Sequence, residues 1–176
     1  MLHQRDVTEY TSADPFDVVL CVGASHAFGG LVPALAAMSR HLAPGGSVLV
    51  GDGFWEQPPS RAAVETLGEL EDLPTIVDRV VGAGWTPVYG HISTRHELDD
   101  YEWSWTGALA SWALDRTDGA EALAVASAHR DEWLRVYRNA FGFVSLVLRR
   151  ARLRRPEAAG RPSRGSGGRP PWPGSP

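Results

Sequence analysis

Apolar positions mark out the elements of this chain. Phe16 to Val22 is apolar apart from Asp17, the pattern of a parallel strand covered on both faces. Leu31, Leu35, Met38 and Leu42 then recur at spacings of four, three and four. That is a helical stripe, with Pro33 near its first turn, where a missing N–H does no harm. Pro44-Gly45-Gly46 stops the helix, the glycines suiting a left-handed cap. Ser47–Val50 is a second buried strand that runs out into Gly51-Asp52-Gly53-Phe54-Trp55. Strand, helix and strand with short links predict a βαβ unit, two parallel strands joined by a right-handed crossover.

Beyond Pro58-Pro59 the pattern predicts a weak helix around Ala62–Leu70. Asp72-Leu73-Pro74 is a helix start, Ile76, Val77, Val80 and Val81 give its buried face, and Gly82 and Gly84 end it. Trp85–Ser93 reads as a third strand. Tyr101, Trp105, Leu109 and Trp112 keep helical spacing, as do Leu123, Ala126, Trp133 and Tyr137. Two amphipathic helices joined near Thr117-Asp118-Gly119 thus interrupt the strands. A last strand, Phe143–Leu148, returns after them with no helix following, which predicts an antiparallel edge strand of a mixed sheet. The fold class is α/β.

Length changes this picture little: 176 residues make one domain. No apolar run approaches the ~20 residues of a membrane span, and MLHQRDVTEY has no apolar core of a signal peptide. Cys21 is the only cysteine, which excludes an intrachain disulfide and a multi-cysteine metal site. These features predict a cytoplasmic protein with no membrane partner. Charge is divided unevenly. Residues 1–150 carry 20 acids against 11 arginines, a net of −9, while residues 151–176 carry six arginines and one acid. An acidic body argues against nucleic acid as the main partner. The Arg/Pro/Gly-rich segment 151–176 has too little apolar surface to offset the entropy of ordering and predicts a disordered tail.

The candidate chemistry lies at the end of the first strand. Ligands of open α/β sheets sit outside the carboxyl ends of the strands. There Gly23 and Ala24 let a flat ligand approach, Ser25 and His26 offer hydrogen bonds, and Phe28 and Trp55 offer apolar walls. A plainer alternative stands beside this: Gly23-Ala24-Ser25 as a tight turn, with Ser25 capping the next helix. Likewise the aromatic set Tyr101, Trp103, Trp105, Trp112 and Trp133 has the spacing of an ordinary helical core.

The run FDVVLCVGASHAFGG followed by LAPGGSVLVGDGFW resembles the second half of a class I S-adenosylmethionine-dependent methyltransferase. More narrowly, it is similar to a group of bacterial small-molecule methyltransferases. In that family an FDvv run opens the fourth strand and LxPGG precedes the fifth. An acidic run before Tyr-Glu, here Glu97-Leu98-Asp99-Asp100-Tyr101-Glu102, opens a helical insertion between the sixth and seventh strands. Gly142–Leu148 matches the closing antiparallel strand. The resemblance covers about residues 1–150 and implies a partial Rossmann-like sheet equivalent to the fourth to seventh strands. It also implies S-adenosylmethionine as cofactor, contacted by Asp6, Val7, Gly23, Ala24 and Ser25, with Asp6 accepting from the adenine amino group. His26 would be the general base, and Phe28, Trp55, Tyr101, Trp103 and Trp105 would surround a small-molecule acceptor.

The family's D-x-G-x-G-x-G turn and its ribose-binding acid have no counterpart here, since only five residues precede Asp6. These absences predict an N-terminally truncated or mis-started reading frame, inactive alone, with the first strand exposed along one edge. The missing half, or another chain, is then a partner for that edge. The competing function class is a non-enzymatic interaction module that pairs through the same edge.

Overall fold

The computed structural model describes residues 2–150; the predicted tail lies outside them. Four strands form one mixed sheet: β1 (Phe16–Val22), β2 (Leu42–Trp55), β3 (Trp85–Ile92) and β4 (Phe141–Arg150), in the order β1-β2-β4-β3. β1 pairs parallel with β2, and β4 runs antiparallel to both β2 and β3. The closing strand is therefore interior, not the edge its position in the sequence predicts. Val144, Leu146 and Leu148 lie deep in the core while Phe143 and Val147 are half-buried. One phase of the strand, Gly142, Val144, Leu146 and Leu148, is buried and the other half-buried, the alternation of a strand with one covered face.

Helix α1 (Leu31–Ser39) crosses from β1 to β2. Gly29 and Gly30 enter it at φ 84° and 114°, values that residues with a Cβ rarely adopt. The helix ends before Pro44-Gly45-Gly46, which instead forms an irregular start to β2: the register jumps from Phe16↔Leu42 to Val18↔Ser47. Helix α2 (Arg61–Leu67) starts on a Ser60 cap, and α3 (Leu73–Gly82) on Asp72, which accepts from the Thr75 N–H. Helix α4 (Arg95–Leu114) opens with a reciprocal Thr94/Glu97 capping box. It turns back through α5 (Ala120–Glu132) and a π-turn over Trp133–Tyr137.

One face of the sheet packs Val48, Val50, Leu146 and Leu148 against Leu35 and Met38 of α1 and Ile76 and Val80 of α3. A second cluster over the far end of β2 and β4 gathers Trp55, Ala63, Leu98, Trp133 and Tyr137. Among the described residues the opposite face is open, so β1 is covered on one face and not on the two that its apolar run predicts. In register across it lie Leu20, Leu49, Val147 and Tyr89, and Val18, Leu20, Val22 and Tyr89 are each more than half exposed.

Candidate functional site at the strand ends

β1 ends in a turn that its own residues fix. Gly23 sits at φ 65°, and its N–H donates to the Gly51 carbonyl at 2.9 Å. Ser25 opens a 3₁₀ turn and is buried. Its hydroxyl does not cap the helix; it donates to Asp52 Oδ2 at 2.7 Å. The other carboxylate oxygen accepts from the Gly53 N–H at 3.0 Å. Asp52 thus ties the turn after β1 to β2. Burial, with Asp52 nearby, raises the Cys21 thiol above its ordinary pKa, which disfavours the thiolate a nucleophile needs.

Three openings surround this turn. A groove of ≈ 440 Å³ runs along the free edge of β1, lined by Val7, Tyr10, Val22, Ala24, Phe28 and Met38 among others. A wider cleft of ≈ 780 Å³ lies over the β1 and β2 ends, where His26 and Ser25 face Asp52, Glu71 and Arg79. A third cavity of ≈ 350 Å³ lies under α4, between Gly23, Tyr101, Glu102, Phe141 and Phe143.

The residues singled out in the sequence distribute among these places. Val7, Ala24 and Phe28 share the edge groove. Asp6 stands beside it, exposed, and its Oδ1 accepts from the Thr8 N–H and hydroxyl, which lowers its pKa. Ser25 and His26 share the wide cleft. Tyr101 lines the cavity under α4. Trp55 is buried in the second core cluster, its indole N–H without a partner among the described residues. Trp103 is half exposed, and Trp105 donates to Glu102 Oε2 at 3.0 Å behind the cavity. The structure therefore does not bring Phe28, Trp55 and Tyr101 to one wall.

Sequence patterning missed the polar character of the insertion. The buried positions of α4 include Leu98, Thr106 and Ala113, with Glu102 between them, whereas Tyr101 and Trp112 are exposed. A carboxylate on an inward face needs partners. Trp105 supplies one and His129 the other, its Nε2 lying 2.8 Å from Glu102 Oε2. The Tyr137 hydroxyl is 3.4 Å from the same His129 nitrogen. Burial first, then Glu102 and Glu132, push the Tyr137 phenol far above its ordinary value, so it stays protonated. One turn earlier, Asp99 takes two bonds from Arg138, at 2.7 and 2.6 Å, and one from the Trp133 indole at 3.0 Å. The Arg95 guanidinium lies 5.8 Å from the Trp133 ring centroid. Glu102 stands four residues after Leu98, and that spacing was the signal available for its inward position.

No family model matches the chain. A structure from Geobacter sulfurreducens, a SAM-dependent methyltransferase in complex with S-adenosyl-L-homocysteine, superposes with a TM-score of 0.72 at 23% identity. The alignment covers 85% of this chain and 64% of that one. A SAM-dependent methyltransferase from Thiobacillus denitrificans, in complex with the same compound, gives 0.70 at 23% identity over the same shares. The fold is that of class I S-adenosylmethionine-dependent methyltransferases. The X-ray structure of YjhP from Escherichia coli shares this methyltransferase fold, with a TM-score of 0.69 and 24% identity over 84% of this chain and 64% of that one. In sequence, the uncharacterized protein YjhP of Escherichia coli strain K12 is 28% identical over 104 residues, 56% of this chain and 42% of YjhP. The chain thus spans less than two thirds of the length of each of these methyltransferase-fold relatives. Among the described residues no helix is long and apolar enough to cross a membrane.

Proposed function

We propose that this chain carries the acceptor-facing portion of an S-adenosylmethionine-dependent methyltransferase acting on a small molecule. Its β1, β2, β3 and β4 would be the fourth, fifth, sixth and seventh strands of the class I sheet. The observation that carries this reading is the strand order β1-β2-β4-β3, with a reversed strand placed between two parallel ones. The helical insertion preceding that reversed strand, and the three openings around the turn after β1, support it.

The edge groove fits the adenine end of the cofactor. It is largely apolar, and Val7, Ala24 and Phe28 can contact a flat ring on its faces. Asp6 keeps one carboxylate oxygen free of Thr8 for an exocyclic amine. The ribose and methionine ends would be held by residues outside this sequence, where the glycine-rich turn of the fold lies. The open sheet face fits the same reading, because strands joined by βαβ crossovers are normally covered on both faces.

S-adenosylmethionine, when bound, supplies an electrophilic methyl group. This chain's part is to align the acceptor, and alignment is most of what an in-line displacement needs. Gly23 leaves room beside the cavity under α4, where nothing lies within 4 Å of the space a Cβ would take, and Asp52 holds Ser25 and the turn in place. His26, exposed over the wide cleft, would take the proton of a hydroxyl or protonated acceptor. Tyr101, Trp103 and Trp105 would belong to the acceptor side, with Trp105 acting through Glu102.

The test is a chimera in which the portion of YjhP without a counterpart here is fused to this chain. The proposal predicts that a folded chimera binds S-adenosyl-L-homocysteine at least tenfold more tightly than the chain alone. A folded, monodisperse chimera with no such gain would remove the reading. In an active chimera, His26→Ala lowers kcat about 100-fold if His26 is the base. Undiminished turnover would exclude it.

A further inference from the structure

We propose that the cavity under α4 recognises a small amine, and that Glu102 is the carboxylate that binds its cationic head. Of the three openings, this one combines a fixed carboxylate with aromatic walls. Phe141, Phe143 and Tyr101 form its sides, and Gly23 and Val22 at the end of β1 form its floor. Its lining holds Glu97 and Glu102 and, among the described residues, no arginine, lysine or histidine. An anionic ligand would face these two carboxylates across the cavity, while an ammonium group would meet opposite charge and ring faces together.

Glu102 differs from Glu97 in how it is held. Glu97 is exposed and occupied by the capping box of α4 and by His91. The Glu102 side chain is only 14% exposed. Both of its side-chain hydrogen bonds, from Trp105 and His129, converge on Oε2. Among the described residues nothing donates to Oε1. One oxygen is anchored and the other is available to a ligand. The anchor is itself rigid: the His129 ring lies 4.4 Å from the Trp105 ring and has Tyr137 at its back. A carboxylate placed in this way keeps its direction without a ligand, so binding does not have to order it. The ≈ 350 Å³ volume suits a compact amine with a ring or short alkyl body.

The inference rests on the acceptor-side reading above, but its test needs no methyl donor. Benzylamine, benzyl alcohol and benzoate share one body and differ in head-group charge. Each is titrated into the full chain while amide shifts are followed by NMR. Benzylamine should bind at least about fivefold more tightly than benzyl alcohol, with shifts at Gly23, Tyr101 and Phe143, and benzoate should not bind. Glu102→Gln keeps the size and an acceptor for Trp105, and should erase the preference for the amine. Equal affinities of amine and alcohol for the native chain, or an unchanged preference in a folded Glu102→Gln protein, would overturn the proposal. If the variant does not fold, the native comparison alone decides. Loss of the amine site leaves the chimera's affinity for S-adenosyl-L-homocysteine untouched. A chimera that fails to bind that compound leaves the amine preference standing, so the two failures are distinguishable.

Discussion

Asp99 shows how a single side chain can fix a whole helical insertion. It joins α4 to the π-turn through two bonds from Arg138 and one from Trp133. The Arg138 hydrogen bond is the main reason its carboxyl titrates below the usual range. A pKa lowered by folding stabilises the protein above the unfolded value near 4, and that contribution is lost as pH falls through the folded value. Asp99→Asn should therefore cost about 2 kcal/mol at neutral pH. Thermal melts should show the gap between variant and native protein closing below about pH 4. A gap independent of pH would mean the carboxylate charge contributes nothing. Ser25 makes a smaller case of the same kind. Ser25→Ala removes the bond to Asp52 and should cost about 1–2 kcal/mol by urea denaturation. An unchanged midpoint would show that the turn holds without it.

Among the elements, the glycines of β2 decide how closely β4 can approach. A Cβ at Gly53 would meet the Phe141 ring at 2.6 Å, and one at Gly51 the Phe143 ring at 2.8 Å. Gly53→Ala should destabilise by about 1–3 kcal/mol in urea, and Phe141→Leu in the same chain should recover part of that. Strict additivity of the two changes would contradict the contact. β1 and β3 were legible because each is a short segment closed off from the helices by glycine or a polar turn, and α1 and α3 because each carries a helical period bounded by Gly, Pro or a capping Asp. The helix-loop-helix over residues 95–132 was legible for the same reason. The interior place of β4 was not, because chain order does not say between which strands a returning strand inserts. Nor was the inward face of α4: aromatic spacing pointed to Tyr101 and Trp112, while Leu98, Glu102 and Thr106 are the positions turned in or half in. Of the two side chains that hold Glu102, His129 lies 27 residues along the chain and leaves no local signal. The Ser25–Asp52 bond, equally remote, was hidden for the same reason.

At the scale of the molecule, the same sheet is closed on one face and open on the other. Among the described residues, Val18, Leu20 and Val22 expose apolar side chains along an unpaired edge, which invites self-association. Val18→Lys should reduce aggregates in size-exclusion chromatography and change stability by no more than about 0.5 kcal/mol, since Val18 packs little. A cooperative loss of structure would show instead that this face is already covered. That openness has one explanation in the proposed function: the donor side of the site would be built by residues beyond this sequence. The most direct measurement is NMR shift mapping of this chain with S-adenosyl-L-homocysteine. The account predicts weak, roughly millimolar binding, worth only about 4 kcal/mol, with shifts centred on Val7, Val22, Ala24 and Phe28. Micromolar affinity, or shifts that leave the β1 groove untouched, would contradict it.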